Sequence, residues 1–146
     1  MADIRIRELR IEDAEDIKRI HESIVKKSDE INFERIVKEQ TRSKGVANFV
    51  AEIDGKVVGY MISYTLSVGF GIDKSAWIAI FGVDPKFMGQ GIGKGLANEV
   101  FRFYKEHGIY NIYTSVRWDS TDILSFFKSL DFDRSNFINL RKVINK

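Results

Sequence analysis

Gly89, Gly91, Gly93 and Gly95 alternate within VDPKFMGQGIGKGL, residues 83–96, directly ahead of a helical pattern. Successive bare amides at the mouth of a helix form an anion cradle: small residues let a phosphate approach, and the helix dipole attracts it. One dipole contact contributes only about 0.3–1 kcal/mol at a surface, so several N–H donors must act together. A flexible turn between two caps would explain a lone glycine. Alternate glycines between an apolar strand and a helix point instead to a phosphate ligand. The dinucleotide fingerprint G-x-G-x-x-G is not met, since its third position falls on Lys94 or Leu96. The triphosphate loop G-x-x-x-x-G-K-[ST] fails as well, with Met88 and Gly95 at its first and last positions.

The elements that must position this cradle follow from periodicity. Residues 4–9 alternate apolar and charged, predicting a half-buried strand. Glu12 and Asp13 open a helix with Ile17, Ile20, Ile24 and Val25 on one face, and Lys26 and Lys27 suit its end. A second helix is expected over 32–42, broken by Gly45. Residues 46–53 and 57–66 read as strands joined by a tight Asp54-Gly55 hairpin, Gly69 and Gly71 as a loop, and 76–83 as a buried strand. In that strand Gly82 allows a bulge or a close backbone approach. After the glycines, Leu96, Val100, Phe103 and His107 keep helical spacing up to Gly108. A strand over 111–116, a helix carrying Ile123, Phe126, Phe127 and Leu130, and a closing strand over 137–144 complete a mixed α+β order.

Composition narrows the class. The chain has 146 residues, which predicts one domain, 1–146. Net charge is +2, from 23 basic and 21 acidic side chains, too balanced for a dedicated nucleic-acid binder. There is no cysteine and there are only two histidines, so thiolate chemistry is excluded and no metal site is expected. No apolar run approaches the roughly 18 residues of a membrane span. The N-terminus does not read as a signal peptide, and the expected location is cytoplasmic.

Val83-Asp84-Pro85 followed by the glycines resembles the acetyl-CoA signature of the GCN5-related N-acetyltransferase (GNAT) family. That signature is Arg or Gln, two residues, Gly, one residue, then Gly or Ala, after a strand ending Val-x-Pro. Gly91 and Gly93 occupy its glycine positions, and SFFKSLDF at 125–132 is similar to the family's Phe-Tyr-x-x-x-Gly-Phe helix end. The resemblance implies a mostly antiparallel central sheet flanked by helices, with acetyl-CoA as cosubstrate bound at a splayed strand pair. It implies that Met88, Gly89, Gln90, Gly91, Ile92, Gly93, Lys94 and Gly95 hold the pyrophosphate. The pantetheine arm would run beside Phe81, Gly82 and Val83, with a backbone N–H there facing the thioester oxygen. Ser120 and Phe127 would complete the coenzyme site. The resemblance further implies an amine acceptor, protein or small molecule, as partner, and a monomer or homodimer.

The chain departs from the family pattern in places. Met88 stands where Arg or Gln is usual, and a thioether cannot donate to phosphate. Phe127 stands where many members carry a tyrosine thought to protonate the leaving thiolate; Phe has no proton to give, and a core aromatic on the stripe Ile123, Phe127, Leu130 explains it better than a direct chemical role. Ser120 aligns with an asparagine that contacts the pantetheine arm, and is otherwise a helix N-cap. Asp131 replaces the glycine at the helix end, where Asp tolerates a left-handed backbone. Ser115 stands where the branch acetylating ribosomal-protein N-termini has a glutamate. No carboxylate emerges as general base: Glu52, Asp73 and Asp119 are candidates, with Tyr64 or an ordered water, and the catalytic choice stays open among them and Ser120. His21 and Glu22 lie in the helical region that borders the family's acceptor groove, where a solvated helix face accounts for them too. Two rival readings remain: a catalytically weak acyl-CoA-binding or sensing module, and a nucleotide-binding regulator preferring ATP or NAD.

Overall fold

The computed structural model describes residues 3–25, 30–67 and 74–145. Lys26, Lys27, Gly69, Gly71 and Asp73 lie outside them. The chain divides into two compact units, Met1–Ser115 and Val116–Lys146.

The first unit carries a five-stranded sheet in the order β1-β2-β3-β4-β5. Its strands are β1 (Ile4–Glu8), β2 (Asn48–Ile53), β3 (Lys56–Leu66), β4 (Ser75–Val83) and β5 (Ile112–Thr114). The first four pair antiparallel, and β5 joins β4 in parallel. The β2–β3 hairpin turns on Asp54 (φ 51°) and Gly55 (φ 78°), both left-handed as a tight two-residue hairpin requires.

Each face of the sheet has its own cover. Helices α1 (Ala14–Ile24) and α2 (Phe33–Arg42) bury Ile17, Ile20, Phe33 and Val37 against Val50, Tyr60 and Ile62. Asn32 caps α2, its side chain accepting from the Arg35 amide at 3.0 Å. Of the apolar residues expected on one face of the first helix, Ile24 is exposed instead, because it sits in the last turn. Helix α3 (Ile92–Glu106) covers the opposite face, burying Leu96, Ala97, Val100 and Tyr104. Gly108, at φ 73°, ends it: the amides of Gly108 and Ile109 return to the carbonyls of Lys105 and Tyr104.

Two buried polar devices hold the sheet. Arg7 reaches Asp13 through both terminal nitrogens (2.9 and 2.8 Å) and Glu52 through Nε (3.0 Å), tying β1, β2 and the turn before α1. At the far end, Tyr104 and Ser63 join through their hydroxyls. The Tyr104 oxygen accepts from the Ala47 amide, and the Ser63 hydroxyl donates to the Ala47 carbonyl. These side chains satisfy a residue that has left the β2–β3 ladder.

The second unit contains α4 (Thr121–Ser129). The helix closes on Asp131 at φ 68°, with Asp131 and Phe132 amides bonding the Lys128 and Phe127 carbonyls and the Phe132 ring packing on Phe127. Aspartate thus takes the left-handed position usually given to glycine. The stripe expected on α4 is only partly buried: Phe127 is covered, Ile123 is exposed. The strand expected over 137–144 is not formed. That segment makes no ladder pair, and Ile138, Leu140, Val143 and Ile144 stand exposed. Its alternate positions mix Arg141 and Lys142 with the hydrophobes, so neither face is purely apolar, and strand propensity without a paired neighbour builds no strand.

Candidate active site

Gly91 is the residue before α3, at φ 80°, and no side chain caps the helix. The first bond inside it runs from the Gly95 amide to the Gly91 carbonyl at 2.9 Å, so the amides of Ile92, Gly93 and Lys94 precede the ladder. Gly89 also has positive φ, 82°, and a Cβ at either Gly89 or Gly91 would meet nothing within 4 Å. These two glycines are therefore required by backbone conformation, and the ground above them is open. A different glycine lets the helix approach. A Cβ on Gly59 of β3 would lie 2.8 Å from Ile92 Cγ2 and 3.3 Å from Leu96 Cδ1, so the first turn of α3 presses directly onto the sheet.

The strand leading into the cradle has an unshared edge. β5 pairs with β4 only at Ala76, Trp77 and Ile78, whereas β4 continues to Val83. The parting coincides with a bulge: Ile62 opposes Ile80 and Ser63 opposes Ile78, leaving Ala79 without a partner on β3. A bulge adds local twist, and the neighbouring strand stops following there. The bulge lies at Ala79 and not at Gly82. Gly82 serves the close approach instead, since a Cβ there would lie 2.7 Å from the Tyr60 hydroxyl. The Asp84 amide bonds the Val58 carbonyl at 2.8 Å, facing β3. By antiparallel alternation Gly82 also faces β3, while Phe81 and Val83 turn their backbone groups toward the open edge.

A clamp fixes the turn between strand and cradle. Asp84 is buried; its Oδ1 accepts from the Lys86 amide at 3.0 Å and its Oδ2 from Arg19 of α1 at 3.0 Å. Arg19 also donates to the Val57 carbonyl at 2.9 Å. Burial alone would push the Asp84 carboxyl up, but the Lys86 amide and the Arg19 guanidinium together hold it below the usual carboxylate range. No sequence pattern announces Arg19, which reads as one more charge on an amphipathic helix. Gly59, an isolated glycine inside a strand pattern, is the kind of signal that marks a close approach.

The Acetyltransferase (GNAT) family matches residues 6–132. The chain belongs to the GNAT family of acetyltransferases. Solved structures agree in fold. AAC(6')-Iy, an aminoglycoside N-acetyltransferase in complex with CoA, has a TM-score of 0.84 at 15% identity, covering 98% of this chain and 96% of that one. The aminoglycoside acetyltransferase meta-AAC0020, from an uncultured soil metagenomic sample, gives 0.79 at 23% identity, with 97% of each chain covered. A ribosomal-protein-alanine N-acetyltransferase from Brucella melitensis biovar Abortus 2308 gives 0.74 at 14%, covering 99% and 100%.

In this GNAT chain the coenzyme candidates of the first unit come together: Phe81, Gly82 and Val83 lead through the Asp84 turn into Met88–Gly95. Met88 is 60% exposed, and Gln90 and Lys94 are exposed beside it. The acid–base candidates fare differently. Glu52 is held by Arg7 and, at 3.6 Å, Arg5, which leaves it a structural anion. His21 packs its ring on Phe33 at 4.8 Å, and Glu22 lies 4.0 Å from Lys18. Tyr64 is 39% exposed and stacks near-parallel to Trp77. In the second unit, Asp119 takes two bonds from Arg117 (3.0 and 3.1 Å), which lower its carboxyl and weaken it as a base. Ser120 precedes α4, but its side chain makes no cap bond. Phe127 is buried between Phe126 and Phe132, each 5.1 Å away by ring centroid, as a core aromatic would be. Among the described residues no cluster of His, Asp or Glu is arranged to hold a metal, and no helix is long and apolar enough to cross a membrane.

Proposed function

We propose that the protein transfers an acetyl group from acetyl-CoA to a primary amine by direct attack in a ternary complex, residues 1–146 acting as one catalytic domain. The observation that carries this reading is the pairing of uncapped amides at the start of α3 with the unshared edge of β4 that leads into them. AAC(6')-Iy, similar in fold and solved in complex with CoA, supports it by analogy. Residues Gly89–Gly95 hold the pyrophosphate through backbone N–H groups, aided by Gln90 and Lys94. The pantetheine amides run along β4 as an added strand would, pairing with Phe81 and Val83.

The chemistry then needs no covalent enzyme intermediate. A neutral amine nitrogen attacks the thioester carbonyl carbon. The C–N bond forms, an outward amide of β4 stabilises the oxyanion, and collapse breaks the C–S bond. The nitrogen gives up a proton and the CoA thiolate takes one. Because a free lysine side chain has a pKa near about 10.4, the amine must be deprotonated by a base or by desolvation before it attacks.

The test is acceptor-dependent thiol release from acetyl-CoA across amines, run beside calorimetry with CoA, ATP and NAD. Transfer to an amine supports the proposal. Tight CoA binding without release on any amine supports the sensing reading, which Phe127 motivates because it has no proton to give. Preference for ATP or NAD overturns both.

A further inference from the structure

The parallel seam between β4 and β5 is three residues long, and it ends where the open edge begins. At its start the Ala76 amide bonds the Asn111 carbonyl at 3.0 Å. At its middle the Trp77 and Tyr113 rings stack at 4.8 Å and 22°. At its end the Thr114 hydroxyl donates to the Ile78 carbonyl at 3.1 Å. Ala76 and Ile78 thus turn backbone groups toward β5, whereas beyond the bulge it is Phe81 and Val83 that face outward. The extra residue, Ala79, shifts the alternation by one. The Thr114–Ile78 bond therefore stands on the boundary, at the last pair before the alternation shifts and the edge opens. Ile78 is buried and Thr114 half-buried, so the bond is partly withdrawn from water.

That boundary lies in the path of the donor. A pantetheine arm that pairs with Val83 and then Phe81 travels from the cradle toward the seam. Ala79 lies two residues past Phe81, about 7 Å along the strand, and Ile78 follows. The sulfur and the acyl carbons fall in that interval. A short acyl group fits it. A chain that runs straight on meets the paired Ile78 and Thr114. A seam with so few contacts depends on its last one, because the end of a short pairing is where strands part first.

Resting on the transferase reading, we infer that the Thr114–Ile78 bond is the acyl-length stop of the donor site, confining it to short acyl groups. Thr114 is a positioning residue that acts through the β4 backbone. Without its hydroxyl the end of the seam parts, and the opening extends to admit a longer chain.

Calorimetry with CoA, acetyl-CoA and octanoyl-CoA tests this without an acceptor, on the wild type, Thr114→Val and Thr114→Ser. The wild type should bind acetyl-CoA more tightly than octanoyl-CoA. Thr114→Val keeps a β-branched shape that suits the strand but has no donor. It should shift the ratio of the two affinities about fivefold toward octanoyl-CoA, the size expected for one neutral hydrogen bond. Thr114→Ser keeps the donor and should keep the ratio. CoA alone carries no acyl group and should not register the change. Equal affinity of the wild type for both thioesters, a ratio unmoved by Thr114→Val, an equal loss on all three ligands, or the same shift in Thr114→Ser would overturn the inference and leave the transferase reading standing. Selective binding without thiol release on any amine upholds the acyl stop and defeats the transferase reading. No binding of CoA by the wild type would overturn both. Should Thr114→Val fail to fold, Thr114→Ala takes its place.

Discussion

The Asp84 clamp makes the sharpest quantitative prediction. Asp84→Asn keeps an oxygen for the Lys86 amide but removes the charge facing Arg19. A hydrogen bond to a charged group contributes about 1.5–3 kcal/mol, whereas exposed ion pairs contribute about 0.2–1 kcal/mol. Asp84 is buried but the Arg19 side chain is 39% exposed, so screening places the loss between these ranges. The expected cost is about 1–2 kcal/mol, or a fall in Tm of about 3–6 °C for a chain this size. The sign with pH follows from linkage. The folded carboxyl lies below its unfolded value of about 3.9, so its contribution is present above that pH and lost as pH falls toward the folded pKa. Urea unfolding at pH 7, 5 and 3 should give a constant Asp84→Asn deficit at the first two and a shrinking one at the third. Calorimetry at pH 7 should show CoA affinity falling with the clamp, because the same turn aims the cradle. A deficit undiminished at pH 3, or none at pH 7, would refute the electrostatic account. A stability loss with unchanged CoA affinity would refute the positioning role.

The remaining predictions concern neighbouring atoms. Gly59→Ala places a methyl where Ile92 already lies at 2.8 Å, so stability should drop by about 1–3 kcal/mol and CoA should bind more weakly, read by denaturation and calorimetry. Met88→Arg adds a guanidinium at a 60% exposed position without disturbing packing and should tighten CoA binding up to about fivefold; unchanged or weaker affinity would count against Met88 facing the pyrophosphate. Phe127→Tyr should raise kcat in the thiol-release assay, and an unchanged kcat would place the proton source in water or another group.

Local signals were the legible ones. Asp54-Gly55, Gly45 and Gly108 announced their turns because each takes a positive φ that few residues accept. Helical patterning predicts α1, α2 and α3, and the alternate glycines mark the uncapped start of α3. What stayed hidden depends on partners distant in sequence. The Arg19–Asp84 contact spans 65 positions, and the Arg7–Glu52 contact that removes Glu52 from the list of bases spans 45. An isolated charge carries no mark of where its partner lies. Residues 137–144 erred in the other direction: their composition suits a strand, but a strand is a relation between two segments and composition describes only one.

The bulge at Ala79 joins these levels. Nothing in AWIAIFGV requires it, since every residue there suits a regular strand. It shows only in the pairing with the neighbouring strand. Ser63 faces α3, where its hydroxyl meets Tyr104 and the Ala47 carbonyl, while Ile62 one residue earlier faces the α1/α2 core. That is regular alternation on β3; opposite them Ile80 pairs with Ile62 and Ile78 with Ser63, so the extra residue, Ala79, belongs to β4 alone. That residue twists β4 away from β5 and opens the edge into the cradle. The pairing of β4 with β5 ends at Ile78 and Thr114, immediately before Ala79, so the unshared edge begins at the bulge and runs to the turn before the glycines.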